Sequence, residues 1–73
     1  MSPSLPVVSG AAVVTALAKI GFEQVSQRGS YVKLRNHVGR TVIVPLHREL
    51  ARGTLAEILR QVGIDSSDFA ALQ

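Results

Sequence analysis

The feature that most constrains the fold is an alternation of polar and apolar residues in the segment QRGSYVKLR, in the middle of the chain. Successive side chains of an extended strand point to opposite faces of a sheet. Val32 and Leu34 are therefore expected to face a core. Tyr31, Lys33 and Arg35 are expected to project together from the other face. An aromatic hydroxyl between cations is suited to a nucleic-acid phosphate or to a small acid-base site.

A helix is predicted before this segment, over about residues 10–20. Ser9 is a suitable N-cap for it, and Gly21 lies where a left-handed residue commonly ends a helix. Its expected buried stripe has helical spacing and consists of Val13, Leu17 and Ile20. The residues before it, 1–8, contain two prolines and are predicted to be a flexible leader, so that residues 9–73 form a single domain.

Three short strands are predicted next, over about residues 22–27, 30–36 and 40–45. A Gly29-Ser30 turn separates the first two, and the segment NHVG marks a hairpin between the second and the third. Pro45 cannot donate to a ladder, so it ends the last strand or lies on an edge.

A second helix is predicted to start with a capping box, in which Thr54 is the N-cap and Glu57 reaches back to it. This helix is expected to end at Val62, with Gly63 as its C-cap. Ser66 or Ser67 is expected to cap a last helical turn. The fold class is therefore α+β, an α-β-β-β-α order with an antiparallel three-stranded sheet and helices on one face.

Size and charge narrow the functional classes. A chain of 73 residues is one small domain, and the absence of cysteine excludes disulfides and thiolate metal sites. No metal or organic cofactor is expected. Neither a signal peptide nor a membrane span is expected, so a cytoplasmic protein is predicted. The net charge of +3 is concentrated between residues 28 and 52, where six cations accompany one acid. Such a stripe favours polyanions, although a solvated basic face is an equally good reading of charge alone.

The order of the segments LAKIGFEQVSQRGSYVKLRN, GRTVIVPLHREL and RGTLAEILRQVGIDSSDF resembles the HicA toxins of type II toxin–antitoxin systems. The similarity covers nearly the whole chain. It implies a fold like that of the double-stranded-RNA-binding domain and an mRNA interferase, an RNA endonuclease that cleaves mRNA. It also implies that the protein is a monomer on its own and that it forms a hetero-oligomer with a HicB-type antitoxin protein, which covers the active site.

The resemblance places Tyr31 where the family has its catalytic histidine, directly after the Gly-Ser turn. An imidazole exchanges protons near neutral pH, whereas a phenol ionises near pH ~10 and is a poor base. Three explanations are compatible with this departure. The chain is an inactive engineered or selected variant, a natural lineage that uses Tyr31 differently, or a binding module without catalysis.

The candidate site residues follow from the alternation and the resemblance together. Tyr31 marks the catalytic position, and His47 is a second catalytic candidate whose competing reading is a structural hydrogen bond to backbone. The expected RNA-binding residues are Arg28, Gly29, Ser30, Lys33 and Arg35. Two rival classes remain, a non-catalytic double-stranded-RNA-binding-domain-like module and a purely structural interaction protein.

Overall fold

The computed structural model describes residues 7–73, which form three helices and one antiparallel sheet. In chain order the elements are α1 (Gly10–Ala18), β1 (Glu23–Arg28), β2 (Tyr31–Arg35), β3 (Thr41–Pro45), α2 (Arg52–Val62) and α3 (Ser66–Ala71). The spatial order of the strands is β1-β2-β3, so β2 is central. The predicted α+β class and the layout of the double-stranded-RNA-binding domain are confirmed. Within the described residues, no helix has the length and hydropathy that crossing a membrane requires.

The core lies between the helices and one face of the sheet. Apolar residues of β2 and β3 alternate into it and are almost fully buried, namely Val32, Leu34, Val42 and Val44. The helices cover them with their own apolar stripes, which include Val13, Leu17, Leu55, Ile58, Leu59 and Phe69. Because these three helices contribute to the same side, the opposite face of the sheet has no helix over it within residues 7–73.

The first helix is capped as expected at its start but is shorter than predicted at its end. The Ser9 hydroxyl accepts a hydrogen bond from the Ala12 backbone N–H at 3.0 Å. The helix ends at Ala18, and Gly21 reverses the chain with a φ of 95°. Ile20 lies in this turn and is 38% exposed, so its predicted place in the buried stripe is wrong.

The predicted capping box at the start of the second helix is also wrong. The helix begins at Arg52, and its N-cap is Ala51, which makes no side-chain capping bond. Glu57 instead accepts hydrogen bonds from Arg60 one turn later. These bonds hold the pKa of the Glu57 carboxyl below its usual value. The predicted end at Val62 is confirmed, with Gly63 in the left-handed region at a φ of 90°.

The last helix is capped by Asp65 rather than by Ser66 or Ser67. One carboxylate oxygen of Asp65 accepts from the backbone N–H of Asp68 at 2.8 Å. Both serines lie inside the helix, because the carboxylate one residue earlier already occupies the capping position.

The predicted leader lies mostly outside the described residues, which begin at Val7. Its last residue, Val8, is only 8% exposed, and its carbonyl accepts a hydrogen bond of 2.8 Å from the backbone N–H of Leu50. Val8 therefore packs with the core, while the division into a leader and a domain stays a prediction.

Candidate functional site

The uncovered face of the sheet carries the side chains that the alternation placed there. Val32 and Leu34 are 1% and 0% exposed, whereas Tyr31 between the turn and Val32 is 53% exposed. Lys33 is half-buried and Arg35 is exposed. The predicted division of β2 into an inner and an outer face is confirmed by these exposures.

The strand register arranges the outer face in rows across the sheet. Arg28 of β1 lies opposite Tyr31, and Tyr31 lies opposite Pro45 of β3. In the next row Ser26, Lys33 and Ile43 are neighbours. Directly opposed residues have Cβ atoms about 5 Å apart, and alternate residues along a strand lie about 7 Å apart. A basic and an aromatic side chain thus stand together at the end of the sheet nearest the Gly-Ser turn.

A third row differs in its charge. Arg35 lies opposite Glu23 on one side and Thr41 on the other. The acid offsets the charge of Arg35, so the positive potential of the outer face is strongest in the first two rows, at Arg28 and Lys33.

An open groove follows the first two rows. It has a volume of about 460 Å³ and is lined by Ser26, Arg28, Tyr31, Lys33 and Ile43. Its volume falls within the range of small-ligand sites, about 300–1,000 Å³, and because it is open it also accepts an extended chain. Ser26 and Ile43 were not among the predicted site residues, although pairing the predicted strands in register would have indicated them.

Tyr31 is the one aromatic residue of the chain that is available for stacking. The sequence has one tyrosine, two phenylalanines and no tryptophan. Phe22 and Phe69 are both buried, at 3% and 0% exposure. An exposed planar ring beside cations is the arrangement on which unpaired nucleic-acid bases stack.

The structure also brings His47 to Tyr31, a contact that the sequence did not predict. The centres of the two rings are 6.3 Å apart and their planes are inclined by 66°, an edge-to-face arrangement. The backbone around His47 is held from both sides. The Leu46 N–H donates to the Ser30 carbonyl at 2.6 Å, and the Gly10 N–H donates to the His47 carbonyl at 2.9 Å.

The Gly29-Ser30 turn is part of the same corner of the molecule. Gly29 has a φ of 59°, a left-handed value that most other residues adopt only with strain. Because the Ser30 carbonyl accepts from the loop after β3, the turn fixes the start of β2 relative to His47.

Two cations away from the groove, Arg40 and Arg60, have structural partners. Arg40 donates to the carbonyl of Val62 at 3.1 Å and so completes the end of α2. Arg60 is paired with Glu57, and His37 lies exposed at the hairpin tip between β2 and β3. Within residues 7–73 no three histidine, aspartate or glutamate side chains are grouped closely enough to hold a metal ion.

A second hollow, of about 380 Å³, lies between β3 and α2. Its lining includes Glu57 and Gln61 but no cation, so it does not attract phosphate. Ile43 lines both this hollow and the groove.

Comparison with known protein families identifies a match over most of the chain. A family model described as the HicA toxin of bacterial toxin-antitoxin matches residues 10–64, well over half of the chain. No curated protein matches the sequence. The matched range contains all three strands, the Gly-Ser turn, Tyr31 and His47.

Proposed function

The chain belongs to the HicA toxin family, and from this premise we propose that it is an RNA endonuclease that binds and cleaves mRNA on the open face of its sheet. It is a toxin of a toxin–antitoxin system, and a cognate antitoxin is its partner. Beyond membership of the family, we propose the substrate, the reaction and the residues that take part. Tyr31 occupies the catalytic position, Arg28 and Lys33 contact the RNA backbone, and the protein acts in the cytoplasm.

The observation that carries this proposal is the shared groove of Tyr31, Arg28 and Lys33 on the uncovered face. The two cations attract phosphates, and the exposed ring between them offers a stacking surface for a base. The Gly-Ser turn borders the groove and lets a phosphate approach main-chain N–H groups. Arg35 extends the same line of side chains, with a weaker contribution because Glu23 faces it.

Tyr31 takes part in the reaction as a hydrogen-bond donor. A neutral phenol can donate to a phosphate oxygen or to the oxygen that leaves, but it removes a proton poorly at neutral pH. This difference from histidine predicts a slower enzyme than a chain with an imidazole at position 31. It also supports the alternative function, an RNA-binding module that retains the groove without catalysis.

We further propose a HicB-type antitoxin with an acidic surface that closes over the Tyr31 face. Arg28 and Lys33 supply the complementary charge, and the exposed side chains of Tyr31 and Ile43, 53% and 46% accessible, supply apolar area. The toxin is a monomer until the antitoxin binds and forms a hetero-oligomer with it.

Neutralising the two groove cations should weaken RNA binding and flatten its dependence on salt. The test compares an R28Q/K33Q variant with a K19Q/R60Q variant, which loses the same charge away from the sheet face. The RNA carries 2′-O-methyl groups, so that cleavage through the 2′-oxygen is blocked. For single strands the slope of log K against log salt changes by about 0.7 for each phosphate contact, so the groove variant should lose about 1.4.

Equal affinities and equal salt slopes for the two variants would refute the proposed RNA site, because net charge alone would then explain binding. Circular dichroism of both variants verifies that the substitutions leave the fold intact.

A further inference from the structure

We propose that His47 is the general base of RNA cleavage in this chain and that Tyr31 is the general acid. This inference rests on the proposed function. The inference comes from the ring contact between the two side chains. They lie sixteen residues apart in sequence and on different elements, yet their ring centres are only 6.3 Å apart. Two rings at this separation can both reach one phosphodiester group.

The fold holds His47 in this place through backbone contacts on both sides. The N–H of Gly10 donates to its carbonyl, and the preceding residue, Leu46, donates to Ser30 one position before Tyr31. Backbone hydrogen bonds therefore link the start of α1, the loop after β3 and the Gly-Ser turn. Positioning by backbone hydrogen bonds leaves the side chain available, as a catalytic base requires.

The imidazole itself has no competing structural partner in the part of the chain that is described. His47 is exposed, and no hydrogen bond joins either ring nitrogen to another group of residues 7–73. The alternative reading of the sequence, a structural hydrogen bond from the ring to backbone, therefore has no support here. Both nitrogens are left for proton exchange with a substrate.

These two groups are sufficient for the proton transfers of the reaction, and no further reagent is needed. The neutral imidazole of His47 takes the proton of a 2′-hydroxyl, and the 2′-oxygen forms a bond to the adjacent phosphorus. The bond from phosphorus to the 5′-oxygen breaks, and the Tyr31 hydroxyl gives its proton to that oxygen. The products are a 2′,3′-cyclic phosphate and a 5′-hydroxyl, and proton transfer from the imidazolium to the phenolate restores both groups.

The cations of the groove assist this step. Arg28 stands next to Tyr31 in the same row, and Lys33 lies one row further. Negative charge develops on the phosphoryl oxygens as the 2′-oxygen attacks, so neighbouring cations lower the barrier.

The test measures single-turnover RNA cleavage by the unaltered chain, H47A, H47Q and Y31H, with H37A as the matched control. His37 is also exposed but lies at the far hairpin tip. Loss of a general base is expected to slow cleavage about 100-fold or more in H47A and H47Q, with RNA affinity changed less than about 3-fold. Added imidazole should restore cleavage to H47A but not to H47Q, because alanine leaves the place of the ring open whereas the glutamine side chain fills it. H37A should cleave like the unaltered chain.

The remaining outcomes distinguish a failure of the proposed role of His47 from a failure of the endonuclease function. The role of His47 is overturned if H47A cleaves as fast as the unaltered chain, if imidazole does not restore the activity that H47A loses, or if only Y31H cleaves RNA. In each of these cases the endonuclease assignment still stands. If neither the unaltered chain nor Y31H cleaves RNA, the proposed endonuclease function itself fails and the binding module is favoured.

Discussion

Replacing Tyr31 by histidine is expected to raise the rate of RNA cleavage about 100-fold or more. An imidazole at this position can accept and donate protons near neutral pH, whereas the phenol only donates, and general acid-base groups contribute about 10²–10⁴ in rate. Tyr31 is half exposed, so the smaller ring is expected to fit without a cost to the fold. The measurement is single-turnover cleavage of a short RNA, compared with the unaltered chain.

The matched control for this substitution is Y31F, which keeps an aromatic ring but removes the hydroxyl. It should bind RNA with nearly unchanged affinity, because stacking is retained, and should cleave more slowly, because the proton donor is lost. If Y31H is no faster and Y31F no slower than the unaltered chain, position 31 lies away from the reacting phosphate.

Replacing Gly10 by alanine is expected to have the largest effect on stability. A Cβ atom at Gly10 would lie 1.9 Å from the carbonyl oxygen of Pro45, a backbone atom that no side-chain rotation can move. Either α1 or the end of β3 must shift, and overpacking of this kind costs about 2–3 kcal/mol. For a domain of this size each kcal/mol lowers the Tm by about 4–8 °C, so G10A should unfold about 10–20 °C below the unaltered chain.

Gly53 offers a contrasting substitution of the same kind. It lies in the first turn of α2, and a Cβ there meets no atom within 4 Å. Alanine stabilises a helix relative to glycine by about 0.5–1 kcal/mol, so G53A should raise the Tm slightly. A G10A protein as stable as G53A would show that α1 does not approach β3 this closely.

Because the backbone N–H of Gly10 also holds the carbonyl of His47, G10A should lose cleavage activity even at temperatures where it remains folded.

The sequence predicted best those features that depend on neighbouring residues. The alternation around Val32 and Leu34 determined the two faces of β2, and Gly63 ends α2 with a left-handed φ as predicted. Gly21 also has a left-handed φ, although α1 ends three residues before it. In each case a local rule of backbone geometry is sufficient. The face that carries the candidate site could therefore be predicted without knowledge of the packing.

The wrong predictions concern competition between alternatives that look equal in sequence. Thr54 and Glu57 have the spacing of a capping box, but α2 starts earlier, and Glu57 pairs with Arg60 instead. Asp65 excludes the two serines from the last N-cap for a similar reason. Such choices depend on where each helix meets the core, which the spacing of two residues does not encode.

The contact between Tyr31 and His47 could not be predicted for a different reason. It requires that β3 end opposite the start of β2 and that the following loop turn back toward the sheet face. The turn is imposed by the hydrogen bond from Gly10 and by the close approach of α1 to Pro45. These are tertiary contacts between distant segments, so the sequence indicated His47 as a catalytic candidate but could not place it beside Tyr31.

NMR mapping of the amide signals determines whether RNA lies across the open face of the sheet. A short RNA with 2′-O-methyl groups is titrated into the isotope-labelled chain. The predicted result is that the largest shifts occur at Arg28, the Gly29-Ser30 turn, Tyr31, Lys33 and His47, while the outer surfaces of α2 and α3 remain unchanged. Shifts confined to the helical side, with the signals of β2 unchanged, would show that RNA binds elsewhere than on the sheet.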